Sequence, residues 1–296
     1  MIDNIVKYLY NRNIRPSLNN GIVLQMISEK IFCTDRMIQN MRILVIGDIV
    51  GSIGCRFLRS KLPQLKKTEG IDMVIANGEN SADGNGITPS SAEYIFSSGV
   101  DVITGGNHSF RRREIYSLYD ENPFLLRPAN FPEGTTPGKG DTVFDMGRIR
   151  VGVISLMGNM YMDLCDDPFR TADRLISKLG TKITIVDFHA EATAEKLALA
   201  YYLDGRVSAV FGTHTHVQTA DETVFENGTG YITDVGMTGT INSVLGVRPE
   251  LAVKKFTEKL PVRFDLAQGD CKMDCLLYDI DEKTGKTLSL RRMELR

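Results

Sequence analysis

The stretch Val100-Asp101-Val102-Ile103-Thr104-Gly105-Gly106-Asn107-His108 is a short apolar run followed by two glycines, an amide and an imidazole. Such a run predicts a buried β-strand that ends at Thr104. The two glycines would let the backbone approach another group closely, and they place Asn107 and His108 just beyond the strand. Polar side chains in this position are typical of metal and phosphate sites.

The histidines of the chain share one kind of position. There are only four, and each lies just past the C-terminal end of an apolar run: His108, His189, His214 and His216. Scattered structural histidines would not be expected to coincide in this way, so we predict that the four belong to one site. If the chain is still extended at His214-Thr215-His216, residues two apart project to the same side, so both imidazoles can face one pocket.

Apolar runs and stretches of helical periodicity alternate from Met41 onwards. The predicted strands are 43–46, 73–76, 100–104, 150–155, 184–188 and 207–211. The predicted helices are 54–68, with Pro63 as a candidate break, 89–98, 167–179 and 191–203. Towards the C-terminus we predict a hairpin turn at Asn227-Gly228 and strands at 262–266, 275–280 and 287–293. This order indicates an α/β sheet protein followed by an antiparallel region.

Further polar residues follow the predicted strands. Taken singly, each has a structural explanation: Asp48 could cap a helix, Glu79 and Asn80 could be turn residues, and His189 could bond to the backbone. Ligands of α/β sheets, however, bind beyond the carboxyl ends of the strands. Together the residues would bring two carboxylates, two amides and every histidine to one sheet edge, which coincidence does not explain.

This set of side chains predicts a metal site. Carboxylates, carboxamide oxygens and three imidazoles are more ligands than one ion with open positions needs, and they suit two divalent or trivalent ions such as Fe, Mn or Zn. Two metals about 3.5–4 Å apart are the usual device for hydrolysing phosphate esters. One carboxylate must then bridge the ions, and either Glu79 or Asp48 could do so.

The bulk composition excludes several other classes. A chain of 296 residues can form one large α/β domain or two small ones, and a net charge of -2 argues against a dedicated nucleic-acid binder. No apolar run approaches the roughly 20 residues of a membrane-spanning helix. The first 40 residues lack a secretory signal pattern, and the five cysteines have no disulfide spacing. We therefore expect a cytoplasmic protein with reduced thiols.

The N-terminal segment differs from the rest of the chain. Residues 1–40 are rich in Asn and show no clear period, whereas the strand pattern begins at its own methionine, Met41. Our hypothesis is that the folded domain comprises residues 41–296. Residues 1–40 would be an N-terminal extension outside this domain, or an upstream extension of the reading frame.

The order of the motifs resembles that of the calcineurin-like metallophosphoesterases, and in particular their YmdB-like branch of bacterial cyclic-nucleotide phosphodiesterases. The matching motifs are Gly47-Asp48, Gly78-Glu79-Asn80, Gly106-Asn107-His108, His189 and Gly212-Thr213-His214-Thr215-His216. Two departures from the superfamily pattern favour that branch. The first motif reads Asp48-Ile49-Val50, without the usual histidine, and Glu79 replaces the usual bridging aspartate.

The resemblance, which extends from Met41 to the C-terminus, implies a fold and a set of roles. The fold would be the calcineurin-like α/β fold, in which two packed mixed β-sheets are flanked by helices as an α/β/β/α sandwich. One metal ion would be held by Asp48, Glu79, Asn80 and His216, and Glu79 would bridge to a second ion held by Asn107, His189 and His214. His108 would be the general acid, and imidazole suits this role because it titrates near neutral pH. The resemblance also implies two iron ions, although manganese would satisfy the same ligands.

The leading hypothesis is a dinuclear metal-dependent phosphodiesterase acting on small cyclic nucleotides, either 2′,3′-cyclic or 3′,5′-cyclic monophosphates. A metal-bridging hydroxide would attack phosphorus, the metals and Asn107 would stabilise the charge, and His108 would protonate the leaving oxygen. A phosphomonoesterase or nuclease of the same superfamily is the runner-up, because surrounding loops select the substrate. A regulatory or scaffold protein with structural metals is the alternative from another class. The expected partner is a small nucleotide, with no membrane and no stable nucleic-acid complex; a homo-oligomer is left open.

Overall fold

Two β-sheets and six helices make up residues 40–296, which are the residues that the computed structural model describes. The elements follow in this order: β1 Asn40–Ile46, β2 Asp48–Ile49, α1 Gly51–Glu69, β3 Met73–Asn77, α2 Pro89–Ser97, β4 Val102–Thr104, a 3-10 turn Arg113–Ile115, α3 Tyr116–Glu121, β5 Asp141–Asp145, β6 Arg150–Met157, α4 Pro168–Leu179, β7 Ile183–His189, α5 Thr193–Leu203, β8 Ala209–Thr213, β9 Thr223–Val224, β10 Gly230–Ile232, β11 Met237–Thr240, α6 Pro249–Glu258, β12 Cys271–Asp281 and β13 Thr287–Leu295.

Both sheets are mixed. The first has the strand order β2-β11-β12-β1-β3-β4, with β13 paired to β12. In it β1, β3 and β4 run parallel, while β12 is antiparallel to β1. The second has the order β5-β6-β7-β8-β10-β9, in which β6, β7, β8 and β10 run parallel. The long C-terminal hairpin β12-β13 thus completes the sheet that β1 begins.

The two sheets pack face to face because their strands are apolar on both faces. In β1, Ile43 and Val45 face the second sheet across a shared core, whereas Leu44 and Ile46 face the helices on the outer side. This alternation follows from the period of two along a strand. Helices α1 and α2 cover the first sheet, and α4 and α5 cover the second. The predicted sandwich of two mixed sheets between helices is confirmed.

Two local predictions were wrong. Residues 262–266 form no strand; they are mostly exposed, and only Leu266 makes an isolated bridge, with Val247. The segment has the alternating apolar residues of a strand, but it has no neighbouring strand to pair with. The flank of β12 is already occupied by β11. The break considered at Pro63 does not occur either. Helix α1 continues through Pro63, since the burial of Leu62 and Leu65, worth about 1.5–3 kcal/mol each, offsets the roughly 3 kcal/mol cost of an interior proline.

The hypothesis about residues 1–40 falls outside the described residues, except for Asn40, which begins β1. Four of the five cysteines are described, and each is a free thiol, as expected: Cys55, Cys165, Cys271 and Cys275. Within residues 40–296, no helix combines the length and the apolar character that crossing a membrane requires.

Candidate metal centre

The predicted site residues meet at one end of the sandwich, where the carboxyl ends of parallel strands from both sheets converge. Asp48 lies in β2, and the loops after β3 and β4 carry Glu79, Asn80, Asn107 and His108. His189 ends β7, and His214 and His216 follow β8. The expectation of a single sheet edge was therefore wrong. The first sheet provides the carboxylates and amides with His108, and the second provides the other three imidazoles, because the shared core aligns the two parallel sets.

One group of side chains surrounds His189. Its Nε2 atom lies 3.2 Å from Glu79 Oε1, 2.9 Å from Asn107 Oδ1 and 3.1 Å from His214 Nδ1. Glu79, His189 and His214 offer ligand atoms that all lie within 4.8 Å of one another. These residues have the spacing and donor types that a transition-metal ion requires.

A second group surrounds Asp48. His216 Nε2 lies 3.7 Å from Asp48 Oδ1, and Asn80 Nδ2 lies 3.2–3.3 Å from Glu79 Oε1, Asp48 Oδ1 and His216 Nε2. The nitrogen of the Asn80 amide, and not its oxygen, thus faces the other three residues. Because an amide N–H is a donor only, Asn80 would ligate a cation only with its side-chain amide turned over. Asp48, Glu79 and His216 need no such change.

His108 lies at the rim of both groups. Its Nδ1 atom is 2.8 Å from Asn80 Oδ1 and 3.3 Å from Glu79 Oε1, and its backbone amide donates to Glu79 Oε2 at 2.9 Å. The imidazole is about a quarter exposed, with 28% of its side-chain surface accessible, whereas the Glu79 side chain is fully buried. His108 is therefore held in place and open to a ligand from solvent.

Gly106 is a position where the backbone approaches the site closely. A Cβ atom there would lie 2.2 Å from His189 Cδ2 and 2.4 Å from Glu79 Oε2. Such distances exclude any side chain, so the predicted close approach at the two glycines is confirmed for Gly106.

Each of the three inner imidazoles is fixed through its outward nitrogen. His216 Nδ1 bonds to Leu245 O at 3.1 Å, and His214 Nε2 lies 3.1 Å from the Glu191 carboxylate. Both partners are acceptors only, so these outward nitrogens carry the proton and the inward nitrogens keep a free lone pair. Metal-ligating histidines are commonly oriented in this way.

The outward nitrogen of His189 leads into a buried network that the sequence reasoning missed. His189 Nδ1 lies 2.9 Å from Thr213 Oγ1, which donates to Asp187 Oδ1 at 2.8 Å. Thr104 Oγ1 and Asn77 Nδ2 bond to the other oxygen of Asp187. Burial raises the pKa of Asp187 to about 7, against the opposing effects of His189 and the two hydroxyls. The sequence did contain a signal for this network, because Asp187 is the one carboxylate in the mostly apolar strand β7.

The inner carboxylates lack a fixed cation. Asp48 and Glu79 are 0% and 1% exposed, and within residues 40–296 their hydrogen bonds and ion pairs go to amides and imidazoles, with no Lys or Arg. Burial raises the pKa of Glu79, but His189 and His108 outweigh it and hold that pKa well below its usual range. Two ionised carboxylates in one dry site require positive charge nearby. The residues present therefore fit bound metal ions.

The Thr213 hydroxyl gives a test of how His189 is held. Thr213→Val removes the acceptor of the His189 Nδ1 proton without changing side-chain volume much, and we expect metal affinity to fall about 10- to 100-fold. Thr184→Val is the matched control, because Thr184 is a buried hydroxyl at the other end of the sheet that bonds to Thr181. Metal retained during dialysis against graded chelator measures both variants. Equal retention in the two variants would contradict this role of Thr213.

The fold and this site define a calcineurin-like metallophosphoesterase. The family model of the YmdB-like proteins matches residues 44–293, and the chain belongs to that family. It is 48% identical over 255 residues to the 2′,3′-cyclic-nucleotide 2′-phosphodiesterase of Bacillus subtilis strain 168, an alignment that covers 86% of this chain and 96% of that protein.

Two solved structures are also similar. A structure described as a novel phosphatase from Mycoplasma pneumoniae has a TM-score of 0.84 at 31% identity, and the match covers 88% of this chain and 94% of that one. A hypothetical protein from Thermus thermophilus has a TM-score of 0.82 at 41% identity, and the match covers 86% of this chain and 99% of that one. Both relatives match along nearly their whole length.

Proposed function

We propose that this protein hydrolyses cyclic nucleotides, as a phosphodiesterase with two metal ions. The observation that carries the proposal is the cluster of two buried carboxylates, two amides and three imidazoles where the two sheets converge. The similarity to the Bacillus subtilis enzyme supports 2′,3′-cyclic monophosphates as substrates, and 3′,5′-cyclic monophosphates are the alternative.

The two groups of side chains suggest how the ions would be divided. Asp48, Glu79, Asn80 and His216 would hold one ion, and Glu79 would bridge to a second held by Asn107, His189 and His214. When bound, the ions would lower the pKa of a water to provide the nucleophile and would neutralise the phosphoryl oxygens. The mixed carboxylate and imidazole set suits iron, and manganese would satisfy it as well.

The chain itself would provide the proton and the orientation. His108 Nδ1 lies 2.8 Å from Asn80 Oδ1 and would still face this amide if the amide turned over to ligate, so Nε2 is the nitrogen left to protonate the leaving oxygen. Among the described residues, no Lys or Arg side chain forms a hydrogen bond or ion pair with the eight site residues. The positive charge of the site would thus come from the ions, which is sufficient for a phosphodiester with its single negative charge.

Comparing diesters with monoesters tests the proposal. We expect kcat/KM for 2′,3′-cyclic AMP to exceed that for 3′-AMP at least about tenfold, which corresponds to ~1.4 kcal/mol of transition-state binding. Asp48→Asn protein, purified in parallel, serves as the blank for contaminating esterases. Faster hydrolysis of the monoester would reject the diesterase proposal.

That opposite result would favour a phosphomonoesterase, the second candidate. The observation in its favour is the Mycoplasma pneumoniae relative, whose structure is described as a phosphatase.

A cytoplasmic location also belongs to the proposal, and the free thiols of the described cysteines support it.

A further inference from the structure

The loop after β8, which carries the candidate ligands His214 and His216, has an unfavourable backbone conformation. His214 has φ 101° and His216 has φ 62°, and neither is a glycine. Such conformations cost free energy and persist only where the surrounding structure holds them. A specific set of contacts must therefore keep this loop in shape.

A buried ion pair provides those contacts. Lys196, on α5, donates from Nζ to Asp234 Oδ2 and to the carbonyl oxygen of Thr213, each at 2.8 Å. The same Asp234 oxygen accepts from the backbone amide of Thr215 at 3.0 Å. The two residues are 1% and 0% exposed. The pair thus holds the peptide groups immediately before and immediately after His214.

The rest of the surroundings fix the pair itself. Asp234 Oδ1 accepts from Gly236 N at 2.9 Å, and Asp234 N donates to Thr219 Oγ1 at 3.0 Å. Among the described residues, no hydrogen bond or ion pair joins the side chain of Lys196 or Asp234 to a candidate metal ligand; their hydrogen bonds to the loop go to backbone atoms of Thr213 and Thr215. These hydrogen bonds therefore act on the ligands through the loop backbone.

We propose that Lys196 and Asp234 are positioning residues, which hold His214 and His216 in the geometry that binds metal. This inference rests on the metal site proposed above. A buried ion pair can also be a purely structural feature, and replacing such a pair by apolar residues is often neutral for stability. The two roles differ in what the double replacement does to metal binding.

The test uses Lys196→Met/Asp234→Leu, which removes both charges and the hydrogen bonds to the backbone of Thr213, Thr215 and Gly236. Holo-protein is dialysed against graded EDTA, and the retained iron or manganese is measured together with the melting temperature. We expect the double variant to lose metal at about 10- to 100-fold lower chelator strength than wild type. Leu203→Ala is the matched control, because Leu203 is fully buried on the same helix and lies outside the loop. It should lower the melting temperature while metal retention stays at the wild-type level.

Metal retention at the wild-type level in the double variant would overturn the proposal. An equal loss of metal from Leu203→Ala and from the double variant would also overturn it, because metal binding would then follow stability alone. If the double variant does not fold, Asp234→Asn replaces it. There an amide oxygen can still accept from Thr215, but the charge pairing with Lys196 is gone. We expect a smaller loss of metal retention, and wild-type retention would again overturn the proposal. A wild-type protein that binds no metal would instead reject the proposed function.

Discussion

Glu79→Gln is expected to abolish hydrolysis of cyclic nucleotides and to remove most of the bound metal. Glu79 Oε1 lies within 3.3 Å of atoms of His108, Asn80 and His189, so its carboxylate belongs to both groups of candidate ligands. Gln keeps the shape and an acceptor for the His108 amide, but it loses the negative charge that a bridging ligand provides. Metal ions bound at such a site would supply several kcal/mol of transition-state stabilisation, so activity should fall by about four orders of magnitude or more.

A matched control separates charge loss at the site from charge loss elsewhere. Glu282 is 9% exposed and pairs with Arg148 at the turn after β12. Glu282→Gln should lower the melting temperature and keep metal content and activity near wild type. Metal analysis, circular dichroism and initial rates measure all three proteins. Wild-type metal content in folded Glu79→Gln would show that Glu79 is not a bridging ligand.

His108→Ala is expected to lower kcat for cyclic nucleotides about 10²- to 10⁴-fold, the range for loss of a general acid, and to leave metal content unchanged. The reason lies in the position of His108. Its Nδ1 atom bonds to Asn80 Oδ1, its ring is partly exposed at the rim, and it is not part of the Glu79, His189 and His214 group. The measurement is kcat together with metal content.

The leaving group distinguishes a general acid from other roles for His108. Bis(4-nitrophenyl) phosphate releases an anion that is stable without a proton, so His108→Ala should lose far less activity on it than on 2′,3′-cyclic AMP. An equal loss on both substrates would assign His108 to binding or charge stabilisation. Loss of metal from the variant would make it a ligand.

Much of the candidate site could be predicted because of where polar residues follow apolar runs. Strands that are buried on both faces are apolar throughout, so β1, β3, β7 and β8 were recognisable, and the polar residues after them marked the ligand-binding ends. Sequence patterning could not reveal that these strands belong to two sheets. That division depends on which strands pair, and the pairing of β1 with β12 joins residues that are far apart in the chain, such as Ile46 and Cys275.

The supporting residues were harder to predict, since their roles depend on partners that are distant in the chain. Asp187 accepts a hydrogen bond from Thr213, and Lys196 lies on a mostly apolar helix, α5, whose sequence does not mark that lysine as buried. A lysine on a helix is usually exposed, and only its distance to Asp234 reveals the buried pair. The same limit applies to Asn80, whose side-chain contact with His108 joins residues that are 28 positions apart in the chain.

Metal analysis of protein purified without added metal, with hydrolysis of 2′,3′-cyclic AMP measured before and after chelation, tests the central claim most directly. The arrangement of Asp48, Glu79 and the three inner imidazoles predicts two ions per chain, loss of activity on chelation, and its return when iron or manganese is restored. Full activity in protein freed of metal would contradict the claim, and so would a fully metallated protein that hydrolyses no phosphodiester.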